Sequence, residues 1–176
     1  MSLKSKITAV AKKARAAAPI VAKLPTEAKN RLLQEIAASL LDRKGEIETA
    51  NRKDLKEAER KKLPPAMVDR LTLTEKRIQE MGQGLREVAS LPDPVGQVVK
   101  SWTLPNGLEV SRVRIPLGVI AIIYESRPNV TIDAAGLCLK SGNAVGLRGG
   151  SEAIHSNVFL GRIIRDVLKK NGVDRS

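Results

Sequence analysis

Apolar positions recur at helical spacing through the first half of the chain. Ile7, Val10, Ala11, Ala14 and Ala18 form a thin, alanine-rich stripe with lysines between, which predicts an amphipathic helix over residues 3–18 packed on neighbouring helices. Leu24-Pro25-Thr26 opens a stronger helix. Thr26 is its expected N-cap, Glu27 lies in its first turn, and Leu32, Leu33, Ile36, Ala37, Leu40 and Leu41 share one face. Gly45 breaks that stripe, and a more charged helix over residues 46–62 stops at Leu63-Pro64-Pro65. After a short piece, Ala66 to Leu71, Thr74 is placed to cap a helix that turns Ile78, Met81, Leu85 and Val88 inward. Gly82 and Gly84 weaken this helix in exchange for close packing.

The pattern changes at Pro92-Asp93-Pro94. Residues 97–102 and 108–114 read as strands joined at Pro105-Asn106-Gly107, and Asn-Gly between alternating residues marks a hairpin. Two readings fit it, an arm that pairs subunits or an ordinary edge hairpin. Val119 to Tyr124 is a continuous, β-branched apolar run, as in a strand buried on both faces. A polar elbow follows, Glu125-Ser126-Arg127-Pro128-Asn129, where Pro128 suits the first turn of a helix over residues 130–140. Ser141-Gly142-Asn143 ends that helix, Ala144 to Leu147 forms a second short strand, and Arg148-Gly149-Gly150-Ser151 leads into another helix. This is a βαβα unit, which implies a parallel sheet with ligand chemistry at the carboxyl ends of its strands. No internal repeat or low-complexity segment is present.

Composition narrows the class. A chain of 176 residues, 42% hydrophobic and 28% charged, suits one globular domain with or without an appendage. No run approaches the ~20 apolar residues of a membrane span, and lysines interrupt the N-terminal segment where a secretory signal would be apolar. One cysteine excludes an internal disulfide framework and a zinc site built on cysteines. A cytoplasmic protein without a membrane partner is expected. The net charge of +12 invites a nucleic-acid reading. However, residues 1–90 hold 20 Lys and Arg against 12 Asp and Glu, and the signs are interspersed as on solvated helix faces. Trp102, Tyr124 and Phe159 are the only aromatics, too few for base stacking, so no nucleic-acid partner is expected.

The candidate chemistry lies at the two elbows. Gly149 and Gly150 let the backbone approach a ligand, and amides at the following helix start favour an anion, with Ser151 as N-cap and Glu152 just inside. A plain turn before a capped helix accounts for the same residues. Arg148 sharpens the site: an arginine near a ribose answers the extra phosphate of NADP, where NAD sites place an acid. Ser126 and Arg127 end the first strand with a hydroxyl and a guanidinium suited to an oxyanion or phosphate, or else form a surface loop. Cys138 reads as a small core residue, and His155 as structural.

Four segments carry a resemblance: Ile115 to Ile120, Tyr124-Glu125-Ser126-Arg127-Pro128-Asn129-Val130-Thr131, Leu139 to Ala144, and Leu147-Arg148-Gly149-Gly150-Ser151-Glu152-Ala153. Together they resemble the γ-glutamyl phosphate reductase family, the glutamate-5-semialdehyde dehydrogenases of the aldehyde dehydrogenase-like superfamily. The resemblance implies an α/β fold: N-terminal helices over residues 1–94, a hairpin arm over 95–114, and over 115–176 the first βαβα of a Rossmann-like parallel sheet. It implies NADPH as cofactor, L-glutamyl 5-phosphate as substrate, and a homo-oligomer in the intact protein. By the superfamily pattern, Ile123, Tyr124 and Glu125 face the adenosine side of the cofactor, Arg148 replaces a ribose-binding lysine and Ser151 a ribose-binding glutamate. Gly149 and Gly150 lie between them, and the oxyanion-stabilising asparagine falls on or next to Ser126. The family's catalytic cysteine lies in a separate domain, expected downstream of Ser176, so the 176 residues alone are expected to be inactive. A non-catalytic nucleotide-binding or assembly module with the first half of the fold is the alternative.

Overall fold

The computed structural model describes residues 2–173, so the outermost residues of the first and last expected units lie outside it. Five helices come first: α1 (Leu3–Ala22), α2 (Thr26–Asp42), α3 (Lys44–Arg60), α4 (Pro65–Leu71) and α5 (Glu75–Ser90). The hairpin β1 (Val98–Thr103) and β2 (Glu109–Val113) follows, then β3 (Val119–Ile123), α6 (Asn129–Lys140), β4 (Ala144–Arg148), a 3-10 turn (Ser151–Ala153) and α7 (Ile154–Lys170). β1 and β2 pair antiparallel, and β3 and β4 pair parallel with Val119 opposite Ala144 and Ile123 opposite Arg148. Among the described residues, no helix is long and apolar enough to cross a membrane.

The core lies where α2, α5, α6 and α7 meet. Leu32, Leu33, Ile36 and Leu40 of α2 pack with Ile78, Met81 and Leu85 of α5, Ile132 of α6, and Leu160 and Ile163 of α7. Gly82 brings α5 onto α2, since a Cβ there would lie 3.4 Å from the Ala37 carbonyl oxygen; Gly84 has open space instead. Gly142 ends α6 at φ +73, and a Cβ on it would lie 2.9 Å from Cγ of Pro116. Only glycine meets both conditions without strain.

Buried charge fixes the junction after α5. Asp93 accepts from Lys29 Nζ at 2.6 Å, from Thr26 Oγ1 at 2.8 Å and from the Val95 amide at 2.9 Å. Burial opposes ionisation of Asp93, but the Lys29 ammonium and these donors outweigh it and hold the carboxyl below its ordinary value. Lys140 donates to Asn30 Oδ1 and the Ala89 carbonyl, and burial pushes its ammonium pKa down.

Several sequence expectations change. Thr26 does not cap α2; it begins the helix, and its hydroxyl turns to Asp93, a partner 67 residues away. The break between α2 and α3 falls at Arg43, with Gly45 inside α3. α1 runs through Pro19 to Ala22, and its buried face is Ala14, Ala17, Ala18 and Val21 rather than the stripe through Ile7 and Val10. That small-residue face lets α1 settle on β4, with Ala17 and Ala18 against Ala144. Finally, β3 is not buried on both faces: Val119, Ala121 and Ile123 are exposed, because β4 is its one paired strand and α1 touches it only at the margin.

Candidate functional site

The parallel register sets Ile123 opposite Arg148, so both elbows open from the same end of the sheet. The Tyr124 amide extends the pairing by donating to the Arg148 carbonyl at 3.1 Å. Beyond it the chain turns sharply, the Arg127 amide donating to the Glu125 carbonyl. The two elbows are joined by Glu152. Its Oε1 accepts from the Ser126 amide at 2.7 Å and from the Ser126 hydroxyl at 2.9 Å. A Cβ at Gly150 would lie 2.0 Å from that oxygen, so the glycine makes room for an internal carboxylate. Burial opposes ionisation of Glu152, but its own amide, the two Ser126 donors and the Arg148 charge outweigh this and hold its pKa below the ordinary value. Ser126 is buried, with amide and hydroxyl both committed.

The start of α7 is also occupied from within. Asp54 of α3 accepts from the amides of His155 and Ser156 at 3.0 and 2.8 Å, and from the Ser156 hydroxyl at 2.6 Å. Ser151 therefore is not the expected N-cap: it opens the 3-10 turn, and its side chain makes no cap bond. Two of the amides at this helix start, those of His155 and Ser156, are thus filled by Asp54. Behind the elbow the Tyr124 hydroxyl lies 2.6 Å from Thr131 Oγ1, which donates to Asn157 Oδ1 at 3.1 Å. Burial pushes the Tyr124 hydroxyl pKa up against the Thr131 bond. Gly149 accommodates the Asn157 amide, whose buried Nδ2 has no partner among the described residues; a Cβ at Gly149 would lie 2.1 Å from it.

Among the described residues, the side chains of Arg127, Arg148, Glu125 and Ser151 make no hydrogen bond or ion pair, and all four are exposed. Ile123 joins them as a bare apolar surface, 76% exposed. Cys138 lies apart, buried in α6, where burial pushes its thiol pKa up. His155 contributes its backbone amide to Asp54.

Sequence reasoning placed the elbows but missed Asp54 and the bridging role of Glu152. For Asp54 a signal existed: Ile47, Asn51, Asp54 and Ala58 lie on one helical stripe, and a carboxylate on an apolar stripe needs a buried partner.

No protein-family model matches the chain. A gamma-glutamyl phosphate reductase of Geobacter metallireducens is 54% identical over 176 residues, which is 100% of this chain and 42% of that protein. One from Thermodesulfovibrio yellowstonii is 50% identical over 173 residues, 98% of this chain and 41% of its own. Over nearly its whole length the chain is similar to proteins named gamma-glutamyl phosphate reductase, and it matches only part of each. It spans about two fifths of the length of these relatives. The crystal structure of the γ-glutamyl phosphate reductase from Thermotoga maritima matches at TM-score 0.91 and 45% identity, covering 94% of this chain and 40% of that one. A probable aldehyde dehydrogenase from Listeria monocytogenes matches at TM-score 0.68 and 14% identity, covering 96% of this chain and 34% of its own, a likeness of fold. The architecture is that of the γ-glutamyl phosphate reductases within the wider aldehyde dehydrogenase-like fold.

Proposed function

We propose that this chain forms the helical scaffold, hairpin arm and first half of the cofactor unit of an enzyme that reduces L-glutamyl 5-phosphate. The products are L-glutamate 5-semialdehyde and phosphate, as in proline biosynthesis. The similarity to proteins named gamma-glutamyl phosphate reductase supports the reaction class. The elbow after β4 supports the cofactor: Arg148 and Ser151 stand uncommitted there, while the amides of Ser126, His155 and Ser156 are taken.

The donor set fits one part of NADPH and not another. A pyrophosphate seated on the start of α7 would compete with Asp54 for the His155 and Ser156 amides, and its charge would oppose the buried Asp54 and the part-buried Glu152. A ribose 2′-phosphate beside Arg148 and the Ser151 hydroxyl meets a guanidinium and a free donor. Ile123 supplies apolar surface for an adenine, with Tyr124 and Glu125 flanking it and Gly149 and Gly150 keeping the approach low. When bound, NADPH supplies the hydride for reduction.

The remaining roles belong to this chain's own groups. Glu152 fixes the Ser126 elbow, and Arg127 projects from that elbow as the free cation for the phosphoryl group or the developing oxyanion. Cys138 is unsuited to nucleophilic attack, being buried with a raised thiol pKa. The nucleophile is therefore assigned to sequence that the relatives have beyond the span matched here.

Arg148→Glu in the intact enzyme tests the cofactor assignment. It should weaken NADPH binding by about tenfold or more, ~1.4 kcal/mol per decade, and leave NADH binding nearly unchanged. Equal losses for both cofactors in a fluorescence titration would remove the 2′-phosphate role.

A further inference from the structure

Beside Arg127, a cleft of about 330 Å³ opens between α4, the start of α5 and the first turn of α6. Its charged lining is Asp69, Arg70, Arg77 and Glu80 on one wall, with Arg127 and Asp133 on the other. These charges are unequally committed. Arg77 is held by Asp69, through Oδ1 at 3.0 Å and through its carbonyl, and by the Thr72 carbonyl at 2.9 Å. Glu80 faces Lys76 at 3.9 Å. Asp133 accepts one bond, from Asn129 Nδ2 at 3.0 Å. Arg70 and Arg127 make none among the described residues.

The cleft thus offers two free guanidinium groups and, in Glu80 and Asp133, two loosely held carboxylates on opposite walls of a small polar space. A lone phosphate would use the cations and leave Asp133 repelling it. An aliphatic chain would find few apolar walls besides Leu73 and Met81. A ligand that carries a carboxylate and an ammonium on one carbon satisfies both signs at once. We propose that this cleft binds the α-amino-acid end of the substrate, Arg70 receiving the α-carboxylate and Asp133 the α-ammonium, with Arg127 between head group and reacting end. The inference rests on the reductase reading above and names the substrate's other end.

The test uses the intact enzyme in the aldehyde-oxidising direction, with phosphate and NADP supplied. L-glutamate 5-semialdehyde carries both head groups, 5-oxopentanoate lacks the ammonium, and pentanal lacks both. Asp133→Asn should raise KM for the semialdehyde about tenfold, leaving the other two aldehydes and kcat nearly unchanged, as for loss of uniform binding. Arg70→Gln should raise KM for both acids and spare pentanal. Asp133→Glu, which keeps the charge, should recover most of the semialdehyde KM. Equal changes for all three aldehydes, or none, would overturn the subsite while leaving the reductase intact. A wild-type enzyme inactive on all three would overturn the reductase reading and this subsite with it.

Discussion

Glu152 and Asp54 show how single carboxylates set the chemistry of this site. Each takes donors that a sequence reader assigns to a ligand, so the anion capacity of the elbow shrinks to Arg127, Arg148 and Ser151. Glu152 should also make stability depend on pH. Its folded pKa lies below the ordinary 4.5, so its contribution is complete above that value and is lost as pH falls through the lower folded value. In Glu152→Gln that share of acid sensitivity should vanish. Urea midpoints for the two proteins should differ at neutral pH and converge in acid; a constant difference would show that the carboxylate charge is not what joins the elbows. Asp54→Ala strips the start of α7 of its acceptor and leaves the buried Ser156 hydroxyl with only the bond it accepts from Asn51. The expected cost is ~2–4 kcal/mol, read from chemical denaturation. Asp54→Asn, which keeps one acceptor, should lose less.

Among the elements, those that fold on local pattern were legible and those that depend on distant partners were not. The α2 stripe from Leu32 to Leu40 and the Thr74 cap of α5 follow from spacing alone, and both occur, the Thr74 hydroxyl accepting from the Arg77 amide at 3.2 Å. The hairpin and the βαβα order follow from Asn106-Gly107, Pro128 and Gly142, which constrain only their own turns. Thr26 and Ser151 satisfy the same local rule as Thr74 and fail it. Asp93 and Asp54 reach them, or their helices, from 67 and about 100 residues away. A local cap is one option for an amide, and tertiary packing supplied another. The candidate site divides similarly: strand ends fixed the positions of Ser126, Arg127 and Arg148, while the donors free to act there depended on Glu152.

At the scale of the molecule, the hairpin is what the rest of the fold leaves unexplained. Every residue of β1 is exposed, including Val98, Val99 and Trp102, and in β2 only Val110 is partly covered. A two-stranded hairpin is marginal in water without a surface to pack on. Its apolar side chains line both faces, unlike an edge hairpin, which turns one face to a core. The pairing-arm reading would give these side chains a cover, a second copy of the intact protein, and that expectation can be tested. The surface charge of +12 opposes close approach of two copies, so association should strengthen as salt screens it. Light scattering of the intact protein should give a mass above that of one copy, and that mass should rise with ionic strength. Trp102→Lys together with Val98→Lys should return it to a monomer with its helical circular dichroism unchanged, since neither side chain touches the α2–α5–α6–α7 core. A wild-type protein that stays monomeric at high salt would reduce β1 and β2 to an ordinary edge hairpin.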